Sequence, residues 1–356
     1  MGRTCGRGNS SCCRRRLGRT RRAGVGHNRP VDLDLVFLGT SGSAPTAGRS
    51  PAALLVRRGG DRLLFDCGEG TQRQLMRSTV GLPDLEEIFI THFHGDHYLG
   101  LPGMLKTFQL RQRDVPLTIY GPAGLIQLFS ELRRVFGKVN YPLDLVEVRP
   151  GDVLDRDGYR LLVFAVEHGV AAVGWALDED ERPGRFDTEA ADALGVPFGP
   201  ERGALQRGES VVLSDGRTVG AAEVVGPARP GRRIVIPGDT GPVETVRVAA
   251  EGADVLVHEA TFTEDESGRA AETLHSTARQ AAELARDAGV RLLALTHVSP
   301  RYLGPELLEE AQQVFGATVV PRDFDLVEVP FAERGEPTLI RRGARPPRGE
   351  RQPLAS

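Results

Sequence analysis

Short apolar runs of β-branched character alternate with segments of helical periodicity from Val31 to about Val329. Val31–Gly39 (VDLDLVFLG) is a strand by its alternation and β-branched content. Ala52–Arg57 and Arg62–Asp66 flank Gly59-Gly60 as a hairpin, Thr71–Ser78 is a short helix, and Leu85–Thr91 is a strand that runs straight into a histidine cluster. A helix at Leu101–Gln112, a strand at Leu117–Tyr120 and a helix at Gly124–Phe136 follow, then strands at Leu143–Val148, Tyr159–Val166 and Val173–Leu177. After a break the pattern resumes with strands at Arg233–Ile236, Asp254–Val257, Leu292–Leu295 and Asp325–Val329. Helices at Ser276–Ala288 and Pro305–Phe315 are interleaved with them. Four of these strands are expected to end directly in polar residues: His92, Asp239, His258-Glu259 and His297. Chemically active side chains collect where strands feed loops along one edge of a sheet.

The break spans about Asp178 to Pro230, where Gly and Pro are frequent and no long apolar period appears; it reads as an insertion arm off the main domain. Residues 1–30 carry nine arginines and no acid, and they lack the apolar core of a signal peptide. They read as a disordered basic tail, or as a mis-assigned start. The stretch 341–356 reads the same way, leaving 31–340 as the folded domain.

Composition changes this picture little, but charge does. The 356 residues are 40% hydrophobic and 26% charged, an ordinary globular balance, and no stretch approaches the length that spans a bilayer. The net charge is −3; setting aside the nine arginines of the tail leaves −12 for the remainder. A nucleic-acid partner would therefore need a local basic patch. Of four cysteines, Cys5, Cys12 and Cys13 lie in the tail and Cys67 stands alone, so there is no disulfide framework and a reducing cytoplasm is the expected compartment.

Seven of the eight histidines (His92, His94, His97, His168, His258, His275 and His297) fall at expected strand ends or in loops. The run His92-Phe93-His94-Gly95-Asp96-His97 puts four ligand-type side chains into six residues. Two apart on an extended chain, His92 and His94 point the same way. Asp96 and His97 follow as the chain turns and can face a second ion. Imidazole with carboxylate suits zinc, and tolerates manganese or iron.

This run resembles the metallo-β-lactamase superfamily, whose fold is a four-layer αββα sandwich; the arm would protrude from it. The resemblance implies a first metal on His92, His94 and His168, a second on Asp96, His97 and His297, and Asp239 (in Gly238-Asp239-Thr240) bridging both. That makes two zinc ions per chain. Within the superfamily the chain is most similar to the ribonuclease Z family, through Phe65-Asp66-Cys67-Gly68-Glu69-Gly70-Thr71-Gln72, His258-Glu259-Ala260-Thr261, Leu274-His275-Ser276-Thr277 and Thr296-His297-Val298-Ser299-Pro300-Arg301-Tyr302. The segments Pro183–Asp187, Leu194–Pro197, Gly199-Pro200 and Leu205–Glu209 look like the arm by which members of that family grip tRNA. Arg182, Arg185, Arg202 and Arg207 are its candidate substrate-binding cations.

The resemblance implies a homodimer that removes the 3′ trailer from precursor tRNA, leaving a 3′-hydroxyl on the tRNA. Asp96 would take the proton of the attacking water. His275, oriented by Glu259, would protonate the leaving 3′-oxygen. His258 is left as support behind the metal shell, and Cys67 as packing. Three alternatives remain open at this stage: a broad phosphodiesterase or arylsulfatase on the same core, a non-catalytic tRNA-binding protein of this fold, and an arm that is only a surface hairpin or dimer contact.

Overall fold

Strand parity builds the layers. The computed structural model describes residues 32–82 and 85–343. The expected basic tail at 1–30 and most of the C-terminal stretch, with Cys5, Cys12, Cys13 and His27, lie outside those residues. In β1 (Leu33–Gly39), Leu33, Leu35 and Phe37 face one side while Val36 and Leu38 face the other, and both sets are buried. A strand covered on both faces must lie between two layers, and β1 does.

β1 pairs antiparallel with β2 (Ala53–Arg58), which turns back into β3 (Asp61–Phe65); β4 (Glu87–Phe89), β5 (Leu117–Gly121) and β6 (Leu143–Glu147) then add in parallel. The second sheet begins as a meander of β7 (Val153–Arg156), β8 (Tyr159–Ala165) and β9 (Val173–Glu179). A two-stranded hairpin, β10 (Val211–Val212) with β11 (Thr218–Val219), belongs to the arm. β12 (Arg233–Ile236) pairs antiparallel with β9, and β13 (Val255–Glu259), β14 (Leu292–Thr296) and β15 (Thr318–Val319) add to it in parallel. β16 (Leu326–Glu328) and β17 (Thr338–Ile340) return to the first sheet beside β1.

Between the sheets lies a core that includes Leu35, Phe37, Phe65 and Phe89 from one side and Leu161, Trp175, Leu177 and Ile234 from the other. The helices Thr71–Arg77, Leu101–Leu110 and Leu125–Phe136 cover the outer face of the first sheet. Glu244–Ala249, Ala278–Ala288 and Pro305–Gln312 cover the second. This is the expected αββα order. The helix expected from Ser276 starts two residues later, because Thr277 and Gln280 form a reciprocal capping box; Gly289, at φ 64°, ends it.

Two expectations about the strands are corrected. β13 does not stop at Val257 but runs through His258 and Glu259, because its parallel register with β14 continues to Glu259–Thr296. His92 is not at the tip of β4, which ends at Phe89; it is held beyond it by an isolated bridge to Ala172.

Residues 180–232 connect the neighbouring strands β9 and β12. They hold helices Thr188–Ala193 and Pro200–Gln206, the β10–β11 hairpin and a small core of Ala191, Val196, Leu205, Leu213, Val219 and Val224. Each element contributes one or two apolar residues, so no sequence window carries a period. At the base, Arg182 and Arg229 exchange backbone hydrogen bonds of 2.7 and 2.9 Å. The Arg182 guanidinium stacks 3.4 Å from the Phe331 ring and bonds Glu333 at 2.8 Å.

Trp175 is fully buried among Phe65, Phe89 and Tyr120, with ring centroids 5.1–6.5 Å away. Trp175→Ala should cost about 3–5 kcal/mol of stability, read as a lowered denaturation midpoint; an unchanged midpoint would show that the inter-sheet core is not what holds the layers together.

Candidate metal centre

The site forms where both sheets present strand ends to the same edge. His94 precedes a helical turn, Gly95–Tyr98, that carries Asp96 and His97, and this turn packs so close to the β3 exit that a Cβ on Gly68 would fall 2.2 Å from the Asp96 carbonyl oxygen. His168 lies on the β8–β9 connection and Asp239 follows β12. Gly238 adopts φ 73° with its Cα pressed on Thr91, so a side chain there would clash. His297 follows β14 with φ 54°. His97 lies in a helical turn, and His258, expected just past a strand end, lies within β13.

All seven expected ligands converge. His94 Nδ1 lies 3.1 Å from His92 Nε2 and 3.0 Å from His168 Nε2. Asp239 Oδ2 lies 3.7 Å from His92 Nε2, 3.4 Å from His97 Nε2 and 3.1 Å from His297 Nε2. Asp96 Oδ2 is 3.6 Å from His97 Nε2 and 3.2 Å from His297 Nε2. These atoms form two ligand groups, His92/His94/His168/Asp239 and Asp96/His97/His297, with Asp239 reaching both. Separations of this size match the edges of a tetrahedron with roughly 2.0–2.1 Å zinc–nitrogen bonds, about 3.3 Å. His97 Nε2 is buried without a hydrogen-bond partner among the described residues, aimed at the two carboxylates. A cavity of about 40 Å³ touches Asp66, His97, Asp239, Glu259 and His297. The donor set, the orphaned nitrogen and this space fit divalent metal binding.

Behind the ligands a second set of groups fixes the rings. His97 Nδ1 donates to Asp66 at 2.8 Å, His168 Nδ1 to the Leu274 carbonyl at 3.2 Å, and Thr91 and Thr261 hydroxyls meet His92 and His297 Nδ1 at 3.0 and 2.9 Å. Each contact turns Nε2 inward, which is how protein ligands are oriented for metals. Asp66 belongs to the motif Phe65–Gln72, but its role behind His97 has no local signature beyond an acid that follows an apolar strand. The amide nitrogen of Ser43, another unforeseen contributor, donates to Asp96 at 2.8 Å.

Burial, and then the neighbouring His97, hold His92 well below the usual imidazole range. His97 goes the other way: burial opposes its charge, but Asp239 and Asp66 raise it well above the ordinary value. Asp96 is lowered despite its burial by His297 and His97. The site thus keeps its carboxylates ionised, as cation binding requires.

Beside this centre His275 Nδ1 donates to Glu259 at 2.6 Å and lies 3.9 Å from Asp239. Glu259 also accepts from the Thr240 and Thr261 amides. His258 is buried away from the ligand groups; Nδ1 donates to the Glu259 carbonyl, and Nε2 has no partner among the described residues. Cys67 is fully buried in the layer between the first sheet and its helices, and burial pushes its thiol up. Of the arm arginines, Arg182 is engaged at the base, Arg202 bonds Asp192 and the Val196 carbonyl, Arg207 pairs with Glu209 at the surface, and Arg185 is exposed.

A double sandwich whose shared edge carries this ligand set defines a protein of the metallo-β-lactamase fold. Residues 206–298 match the family described as beta-lactamase superfamily domain, and residues 33–136 the one described as anti-Pycsar protein Apyc1. The crystal structure of human tRNase Z, short form, is similar with a TM-score of 0.61 and 26% identity, covering 83% of this chain and 99% of that one. The metallo-beta-lactamase fold protein YhfI from Bacillus subtilis, at TM-score 0.62 and 19% identity over 84% of this chain and 99% of its own, shares the fold. Ribonuclease Z of Haloferax volcanii is 51% identical over 309 residues, which are 85% of this chain and 97% of that protein. Ribonuclease Z of Myxococcus xanthus is 47% identical over 305 residues, 85% and 99% of the two chains. The chain belongs to the ribonuclease Z family.

Asp66→Asn should weaken metal binding by about 10–100-fold, measured by competition with a chromogenic chelator. Wild-type affinity in that variant would show that His97 needs no carboxylate behind it.

Proposed function

We propose that this chain is an endoribonuclease that removes the 3′ trailer from precursor tRNA, with two zinc ions held by His92, His94 and His168 on one side and Asp96, His97 and His297 on the other, Asp239 between them. The observation that carries the reading beyond hydrolysis in general is the His275–Glu259 pair at 2.6 Å beside that centre. A 3′-alkoxide is a poor leaving group and needs a proton; an aryl oxide or a thiolate does not. The relatives named ribonuclease Z, about half identical over nearly their whole length, support RNA as the substrate.

Bound there, divalent cations would supply Lewis acidity toward water and the phosphate. The protein's own groups do the rest. Asp96, ionised and steered by the Ser43 amide, accepts a proton from the attacking water as the new oxygen–phosphorus bond forms. His275 gives a proton to the departing 3′-oxygen as its bond to phosphorus breaks, leaving a 3′-hydroxyl on the tRNA and a 5′-phosphate on the trailer. Burial works against a charged His275, but the hydrogen bond and charge of Glu259 lift it to about 9, so it is protonated at neutral pH. Exposed Arg185 and Arg207 on the arm would meet RNA phosphates, whereas Arg182 and Arg202 hold the arm's base and its helices together.

Incubating the purified protein with a trailer-bearing precursor tRNA should give one cut at the trailer junction, abolished by chelator and restored by zinc. Turnover of a small aryl phosphodiester with no cut in the tRNA would instead favour a broad phosphodiesterase.

His275→Ala should slow cleavage by roughly 10²–10⁴-fold while bound metal stays at the wild-type level. Because His275 also lies within ligand reach of Asp239 and His297, metal lost in proportion to activity would make it a ligand and sink the donor role. Glu259→Gln removes the group that raises His275. A donor must be protonated, so activity falls as pH rises through its pKa. The alkaline limb of kcat/KM should therefore move to lower pH in this variant.

A further inference from the structure

The arm was expected to carry the cations that an acidic domain needs for RNA. The fold assembles a second set elsewhere. A cleft of about 850 Å³ opens on the far side of the loop between β1 and β2, and Arg49, Arg73, Arg77, Arg322, Arg341 and Arg342 line it. They come from that loop, from the helix Thr71–Arg77, from the β15–β16 connection and from the segment after β17. Among the described residues only two acids share the lining, Asp323 and Asp325, and both already accept hydrogen bonds. Asp323 accepts from Thr40 Oγ1, Gln74 Nε2 and the Ser50 amide; Asp325 accepts from Arg341 and from the Arg322 and Arg342 amides. Burial pushes the Asp323 carboxyl up, toward the neutral form.

The arginines divide by task. Arg49 is a strut, bonded to Thr40 and the Pro321 carbonyl. Arg77 bonds Gln74 and lies 5.2 Å from the Phe324 ring. Arg73, Arg322 and Arg342 are exposed, and their guanidinium groups have no partner among the described residues. These three come from separate chain segments and no carboxylate among the described residues pairs with their guanidinium groups, so they repel one another and are stabilised by an anion arriving from outside. Planar guanidinium groups suit the paired oxygens of phosphate.

The same loop links the cleft to the metal centre. Ser43 bonds Asp96, and Thr46 to Ser50 form one wall of the cleft. From Ser43 to Ser50, eight residues of chain at about 3.5 Å each keep this wall of the cleft within roughly 25–30 Å of Ser43, a few nucleotides of backbone.

We propose that this arginine cleft binds the phosphate backbone of the substrate RNA flanking the scissile bond, as a second contact independent of the arm. The inference rests on the RNA-cleaving reading above. Its probe is precursor tRNA, made with a long and with a very short trailer, so that a loss confined to the long trailer places the contact on the trailer side and an equal loss places it on the tRNA body.

Arg73→Glu combined with Arg322→Glu should lower the ratio of kcat/KM on precursor tRNA to that on a small aryl phosphodiester by about tenfold. The dependence of log KM on log salt should become shallower by about 1–2, since two phosphate contacts are lost. Arg73→Lys with Arg322→Lys, which keeps the charge, should retain the wild-type slope; this pair separates lost attraction from a damaged fold. A charge-reversed protein that cleaves both precursors with the wild-type ratio and slope overturns the cleft while leaving the ribonuclease reading intact. A wild-type protein that leaves every precursor uncut overturns that reading, and the cleft with it.

Discussion

The hydrogen bond from His97 Nδ1 to Asp66 ties together the segments that the first sheet contributes to the candidate metal centre. Asp66 ends β3 in a left-handed conformation, φ 57°, which turns its carboxylate sideways toward the exit of β4. There it accepts from the amide and hydroxyl of Thr91, and that hydroxyl lies against His92. One buried acid thus sets the path of the segment carrying His92 and His94 and the tilt of the ring that follows it. A carboxylate is costly to bury alone, and here three donors meet it: the Thr91 amide, the Thr91 hydroxyl and His97 Nδ1. The geometry of the first ligands is therefore a property of the β3–β4 pairing rather than of the HxHxDH run alone.

The opposite wall depends on similar devices. Thr261 bonds both Glu259 and His297, so the His275–Glu259 pair and His297 share a single hydroxyl. Ser43, Asp66, Leu274 and His297, four of the six non-glycine residues with positive φ among those described, lie in this site. Such conformations persist where the surrounding structure over-determines them. The inter-sheet core on one side and the helix layers on the other provide that surrounding, and they leave the edge itself polar and open to substrate.

Charge is organised at a longer range as well. A domain with net negative charge discourages indiscriminate binding of polyanions. Attraction is then confined to places where arginines are collected and not neutralised. Of the four candidate arginines on the arm, Arg182 and Arg202 are consumed in holding it, Arg207 pairs with Glu209, and Arg185 is exposed without a carboxylate partner among the described residues. The cleft beside the β1–β2 loop has others, over acids that already carry hydrogen bonds. Under the proposed function, two separated cationic contacts around the candidate metal centre would suit a substrate that is long, stiff and charged along its length.

Much of this was legible in the sequence, for a local reason. Period-two and helical patterns act over a few residues, so β1, the helix ending at Gly289 and the alternation of layers could be read directly. The run from His92 to His97 stands out because imidazole and carboxylate are scarce at the end of an apolar strand, whereas His168, Asp239 and His297 join it only through the resemblance to the metallo-β-lactamase superfamily. What the tertiary structure alone decided involves partners far apart in the chain. Asp66 meets His97 across 31 positions, and Arg73 and Arg322 line one cleft because β16 lies beside β1. The extent of β13, and with it the burial of His258, follows from its pairing with β14. The arm's core escaped notice because its apolar residues are spread singly over short elements. In each case the information lies in strand order and register, which spacing along the chain does not record.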